Sequence, residues 1–187
     1  MISQKDRNLI RELAEKWMEF ASLPVMKERK RLWKAVHDLK AERPVILFET
    51  AWIDGFVAAD EILCEDPFLR SVEHNMRITL RQAEELGDDL IVEPYYRLGW
   101  RMVLSDYGVP VEIHAPLGVE KSIAYSFSFP LATQDDISKL RRRTMAVDRE
   151  KTLRLQHTLE DVMGDILPVK LGNYDPFISE FDVGEFG

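Results

Sequence analysis

The sequence predicts an α/β fold built on parallel strands, and three observations carry that expectation. Short apolar runs near 44–49 (Pro44-Val45-Ile46-Leu47-Phe48), 89–93 (Asp89-Leu90-Ile91-Val92-Glu93) and 166–171 (Ile166-Leu167-Pro168-Val169-Lys170-Leu171) read as strands buried on both faces. Stretches with apolar residues at helical spacing separate them. Between the second and third runs, Val109 to His114 and Ile123 to Phe129 alternate apolar and polar residues. That alternation predicts an antiparallel hairpin over 109–129, with one wet face, inserted into the parallel architecture.

Each element has its own local signals. Ser3 is an N-cap candidate, with Asp6 three residues on, for a helix over 3–21 whose Leu9, Ile10, Leu13, Trp17 and Phe20 share one face. Pro24 restarts the chain as a first-turn residue, and a second helix to about Lys40 buries Leu32, Trp33, Val36 and Leu39. Its basic run Lys27-Glu28-Arg29-Lys30-Arg31 reads as a solvated face rather than a binding patch. Residues 1–43 thus form an N-terminal helical extension, and 44–187 form the body. Asp66-Pro67 supplies an N-cap and first-turn proline for a long helix ending near Gly87, with Val72, Met76, Leu80 and Ala83 inward. Strand, helix and strand make a βαβ unit, which implies parallel pairing. Thr133 with Asp136 caps a short helix that the run Arg141-Arg142-Arg143 closes. Asp148 opens a longer helix through Val162, with Gly164 as its stop.

Composition narrows the function classes. The 187 residues carry 25 Lys+Arg against 33 Asp+Glu, a net charge of −8, and 45% are hydrophobic. The length suits a single domain. The acidic balance argues against nucleic acid or an anionic membrane surface as partner. One cysteine, Cys64, excludes an internal disulfide and a multi-cysteine zinc site within this chain. No apolar run reaches the ~20 residues that cross a bilayer. The N-terminus lacks the layout of a secretory signal, so a cytoplasmic location is expected. No glycine-rich phosphate loop, nucleophile elbow or zinc-binding helix motif occurs.

In parallel α/β folds ligands bind beyond the carboxyl ends of strands, which directs attention to the residues there. The first predicted strand ends at Glu49, followed by Thr50-Ala51-Trp52-Ile53-Asp54, and the second at Glu93-Pro94-Tyr95-Tyr96-Arg97. Lys170, Leu171 and Asn173 end the third. Two carboxylates with tyrosines and an arginine nearby suit binding of a polar ligand or sharing of a proton. The alternative is that Glu49 and Glu93 cap loops or pair with arginines. His37, His74, His114 and His157 lack a second histidine at metal-binding spacing, and Cys64 reads as a small buried hydrophobe.

The runs Asp89 to Tyr96, Leu98-Gly99 and Asp106 to Glu112 resemble the second-strand region of the uroporphyrinogen decarboxylase superfamily, as do Glu65-Asp66-Pro67 opening a long helix and the closing Gly164 to Val169. The nearer likeness is to decarboxylase-like proteins of anaerobes that group with corrinoid-dependent methyltransferases, over nearly the whole chain. The resemblance implies the first strands of a (β/α)₈ TIM barrel behind the helical extension. A whole barrel takes about 250 residues and eight strands. Three barrel-type strands therefore make this an incomplete barrel, expected to self-associate or pair with a complementary barrel segment and to be inactive alone. The family's arginine-rich turn after the first strand is here Glu49 to Asp54, and its catalytic aspartate falls on Pro94, beside Glu93. Those departures point away from uroporphyrinogen and toward methyl transfer involving a corrinoid protein. Glu93 is then the catalytic candidate, and Glu49, Tyr95 and Arg97 are substrate-binding candidates. The family's zinc ligands lie in the later half of the barrel, so this chain is expected to hold no cofactor itself, with zinc and a corrinoid belonging to the complete enzyme. The competing expectation is a non-catalytic binding or assembly module that docks a partner through Trp17, Trp33 and Phe20.

Overall fold

A computed structural model describes residues 2–50, 55–109, 111–114 and 126–172. The chain divides into two compact units, one of residues 1–100 with 150–187 and one of residues 101–149. The first unit contains α1 (Gln4–Ala21), α2 (Val25–His37), α3 (Pro67–Glu85), β1 (Tyr96–Gly99) and β6 (Val169–Gly172), and most of α4 (Arg149–Met163). The second contains β2 (Met102–Leu104), β3 (Ile113–His114), β4 (Ser126–Phe127) and β5 (Met145–Val147).

The helices begin where their caps dictate. The Ser3 hydroxyl accepts the Asp6 N–H at 3.0 Å to start α1. Asp66 Oδ1 accepts the N–H groups of Phe68 and Leu69, each at 3.0 Å, and Pro67 fills the first turn of α3. Their apolar faces meet in one core: Ile10, Ala14 and Trp17 of α1, Leu69, Val72, Met76 and Leu80 of α3, and Leu159, Val162 and Met163 of α4. Arg7 and Arg11 fasten α1 to the end of α4, Arg11 as a two-pronged pair with Asp165 at 2.6 and 2.8 Å. A Cβ on Gly164 would stand 2.6 Å from the Glu160 carbonyl oxygen, so only glycine permits that close turn after α4. The second helix stops at His37, before Lys40, and Leu39 is 93% exposed with φ of 57°, so it is not the core residue its spacing predicts.

Two of the three predicted strands are not strands. In residues 89–93 three carbonyls that a ladder would use are taken by side chains. Asp89 O accepts from the Trp33 indole at 2.8 Å, Leu90 O from Arg29 at 2.7 Å, and Glu93 O from the Trp17 indole at 2.7 Å. Residues 44–49 run alongside, with the Asp89 N–H donating to Ile46 O at 2.8 Å. The N–H groups of Ile46 and Phe48, however, go to the carboxylates of Asp89 and Asp88. Side chains thus stand where backbone partners would be, which satisfies the segment without building a ladder. The 44–49 run is also open to solvent, Ile46 being 58% exposed, against the expectation of a strand buried on both faces.

The parallel pairing expected of the fold does occur, but between later segments. β1 and β6 run parallel in the register Tyr96↔Val169, Arg97↔Lys170, Leu98↔Leu171 and Gly99↔Gly172. The third predicted strand begins three residues late, because Ile166 and Leu167 still turn back onto the Met163 carbonyl at 2.9 Å. In the second unit β2 pairs antiparallel with β5, and β3 with β4 as Ile113↔Phe127 and His114↔Ser126. The latter is the predicted hairpin, whose tip lies outside the described residues. Thr133 and Asp136 cap a short 3-10 turn at Gln134–Lys139 by mutual hydrogen bonds. The structure is therefore mixed α/β, with a parallel pair packed on helices.

Candidate functional site

The β1–β6 pair has two unlike faces, because side chains alternate along a strand. Tyr96, Leu98 and Val169 enter the helix core, where the Tyr96 ring meets Trp17 edge-on at 6.0 Å. The opposite face carries exposed Arg97 and Lys170, which are direct register partners, together with half-buried Tyr95. The Lys170 ammonium lies 4.0 Å from the centre of the Tyr95 ring, a cation–π contact. Arg97 Nη2 donates to the Tyr95 hydroxyl at 3.4 Å, a long hydrogen bond. A Cβ on Gly172 would lie 2.8 Å from Arg97 Cδ and 2.9 Å from its Cγ, so the arginine stem lies across the bare glycine backbone.

The structure thus gathers Tyr95 and Arg97 from among the sequence candidates and adds Lys170 to them. Glu93 and Tyr95 precede β1 and Arg97 lies within it, so these residues do not project from the carboxyl end of a strand that stops at Glu93. The Glu93 carboxylate is held by Lys30 of α2 at 2.6 Å. Among the described residues nothing ties Glu49, which is exposed, to the other three. The rest of its turn, Ala51 to Asp54, falls outside the described residues. Among the described residues, the face of the pair turned away from the helix core carries Arg97 and Lys170. Lys170 was within reach of sequence reading, since period-two alternation through Val169, Lys170 and Leu171 sets it apart from its apolar neighbours.

Other chemistry-bearing groups are committed elsewhere. The basic run of α2 is structural: Arg29 and Lys30 hold the 90–93 backbone and Glu93, and Arg31 pairs with Glu28 at 2.7 Å and with Glu42. His37 Nδ1 is paired with the Trp33 carbonyl at 2.8 Å and His114 Nε2 with the Ser128 hydroxyl at 2.6 Å. Cys64 is buried, and burial together with the Glu73 carboxylate pushes its thiol up to about 12, so it is no nucleophile near neutrality. Among the described residues no three His, Cys, Asp or Glu side chains converge on a metal position.

No family model, curated protein or solved structure matches the chain. Among the described residues no helix is long and apolar enough to cross a membrane.

Proposed function

We propose that this chain forms the N-terminal portion of a decarboxylase-like enzyme of the methyl-transfer branch, working with a corrinoid protein in the cytoplasm. The observation that supports this best is the two-sidedness of the β1–β6 pair. In a (β/α)₈ barrel each parallel strand turns one face to the surrounding helices and the other to the interior, above which the ligand sits. Here helices cover the side of Tyr96, Leu98 and Val169, while Tyr95, Arg97 and Lys170 occupy the other side. On this reading Tyr95 and Arg97 contact oxygens of the ligand, with Lys170 beside them. Glu93, its carboxylate held by Lys30, orients the substrate or handles its proton.

The test is methyl transfer from methylcobalamin to 2-mercaptoethanol, using protein expressed from the whole reading frame with zinc supplied. Formation of the methyl thioether with matching appearance of cob(I)alamin absorbance is expected, as the thiolate displaces cobalt from the methyl carbon. Glu93→Gln is expected to lower turnover by about tenfold or more, as general acid–base or orienting groups do, with little change in the unfolding midpoint. No transfer by the intact protein contradicts the methyl-transfer reading. Wild-type turnover in Glu93→Gln removes that residue from the mechanism.

A further inference from the structure

We propose that β5 is the interface edge of a homodimer, pairing antiparallel with β5 of a second copy across a two-fold axis. Three observations in the unit of residues 101–149 carry this. The first is an open ladder edge. The Ser105 N–H donates to Thr144 O at 3.0 Å and the Asp148 N–H to Arg101 O at 2.9 Å, at the two ends of the β2–β5 register. Ladder bonds alternate along an antiparallel pair, so Met145 and Val147 turn their N–H and C=O groups away from β2. Among the described residues no hydrogen bond reaches those groups. A second β5 run antiparallel satisfies them, Met145 against Val147 of the other copy, with the small Ala146 side chains meeting at the axis. The second observation is apolar exposure. Every residue of the β2–β5 pair is exposed, Val103 by 58% and Met145 by 70%. A lone two-stranded pair is marginal in water, and joining two of them gives a four-stranded sheet. Met145 and Val147 of both copies then stand side by side on one face. The third observation is charge, which selects a second copy as the occupant. The chain carries −8, yet residues 101–149 hold seven Lys or Arg against six Asp or Glu, so this unit meets its own copy without net repulsion. Arg141 and Arg142, just before β5, are exposed and make no ion pair among the described residues. Antiparallel pairing keeps the two arginine runs at opposite ends, each beside the other copy's Asp148 rather than beside a second arginine run. The β2 edge has no comparable run, which favours β5.

The experiment is sedimentation equilibrium of the full chain over a range of concentrations, with circular dichroism checking the fold of each variant. Wild type is expected to rise from one chain mass and level off at two. Val147→Pro removes one outward N–H of β5 and leaves the bonds to β2. It is expected to weaken the dimer by about tenfold, the order of the two hydrogen bonds lost across the axis. Met145→Lys changes only an exposed side chain of the monomer, so it reads the same edge where proline disturbs the fold. Two lysines beside the axis are expected to weaken the dimer by a similar factor. Leu104→Pro, the matching change on the β2 edge, is expected to leave the equilibrium unchanged. Wild type monomeric at every concentration, a mass that climbs past two chains, or a dimer that Met145→Lys leaves intact overturns the proposal. So does a dimer that Leu104→Pro weakens and Val147→Pro does not, which assigns the β2 edge instead.

Discussion

Glu73 shows how a single buried side chain can organise a neighbourhood. Its carboxylate is fully buried and accepts the N–H groups of Leu63 and Cys64 at 2.9 and 2.7 Å, with Arg77 one turn on at 2.8 Å. Asp6, also buried, does the same for Glu65 and Asp66 at 3.1 and 2.9 Å, so two carboxylates hold consecutive amides of the segment leading into α3. Glu73→Ala is expected to cost about 3 kcal/mol, because Arg77 and two buried N–H groups lose their acceptor. Urea unfolding measures this, and a midpoint unchanged from wild type contradicts it. The same groups set an acid limit. Burial pushes Asp6 and Glu73 upward, but the donated N–H groups outweigh it and leave both below the usual carboxylate range. Asp89 is drawn from 3.8 down to about 2 by the hydrogen bonds and charge of Arg43. Groups with lowered folded-state pKa bind protons more readily when unfolded. Their stabilisation is complete above the unfolded value and is lost as pH falls through the folded one. The urea midpoint is therefore expected to drop as pH falls from 3.8 toward about 2, and Arg43→Ala to flatten that part of the curve. An identical pH profile in Arg43→Ala contradicts the assignment. The burial of Cys64 was legible in the sequence, as a thiol with no basic neighbour. The role of Glu73 was not, because a glutamate inside a helix reads as solvent-facing until the 62–64 segment folds over it.

At the scale of elements, the main helices, the hairpin pairing and most of the last strand were legible, while the runs at 44–49 and 89–93 misled. The helix signals are local: Ser3, Asp66 and Pro67 act within three residues, and α1 and α3 begin where those residues place them. Asp66→Ala is expected to cost about 1 kcal/mol, since two first-turn N–H groups of α3 lose their acceptor. Thermal unfolding read by circular dichroism measures it, and an unchanged transition contradicts the cap. Strands depend on partners far along the chain. The runs at 44–49 and 89–93 have the composition of buried strands, yet Trp17, Arg29 and Trp33 of the helices satisfy the carbonyls of the second. Asp88 and Asp89 satisfy amides of the first. No local pattern announces that substitution. β1 escaped notice because Tyr-Arg-Leu-Gly, with its exposed arginine, lacks the continuous apolar character of a strand buried on both faces. Its pairing with β6 is the one parallel pair among the described strands, and of the two only β6 lies in a run read as a strand.

On the whole-molecule scale, the described strands form three separate pairs, and two-stranded pairs leave edges open. In the unit of residues 101–149, Val103, Leu104, Phe127 and Met145 are exposed, the last by 70%. Open edges beside exposed apolar side chains favour association, so the weight-average mass in sedimentation is expected to rise with protein concentration. A monomer at every concentration contradicts self-association. Of the site, Tyr95 and Arg97 were readable as polar groups near a strand, but their meeting with Lys170 needed the parallel register. A slip of one residue would invert the faces of the strand that moves, sending Arg97 inward and Leu98 outward in β1, or Lys170 inward and Val169 outward in β6. Cross-strand NOE spectroscopy of residues 96–99 and 169–172 is the most direct test. The expected result is a parallel pattern linking Tyr96 with Val169 and Leu98 with Leu171, with Tyr96 close to Trp17 and Lys170 close to Tyr95. Antiparallel contacts, or contacts from Arg97 and Lys170 to Leu159 and Met163, would contradict the account.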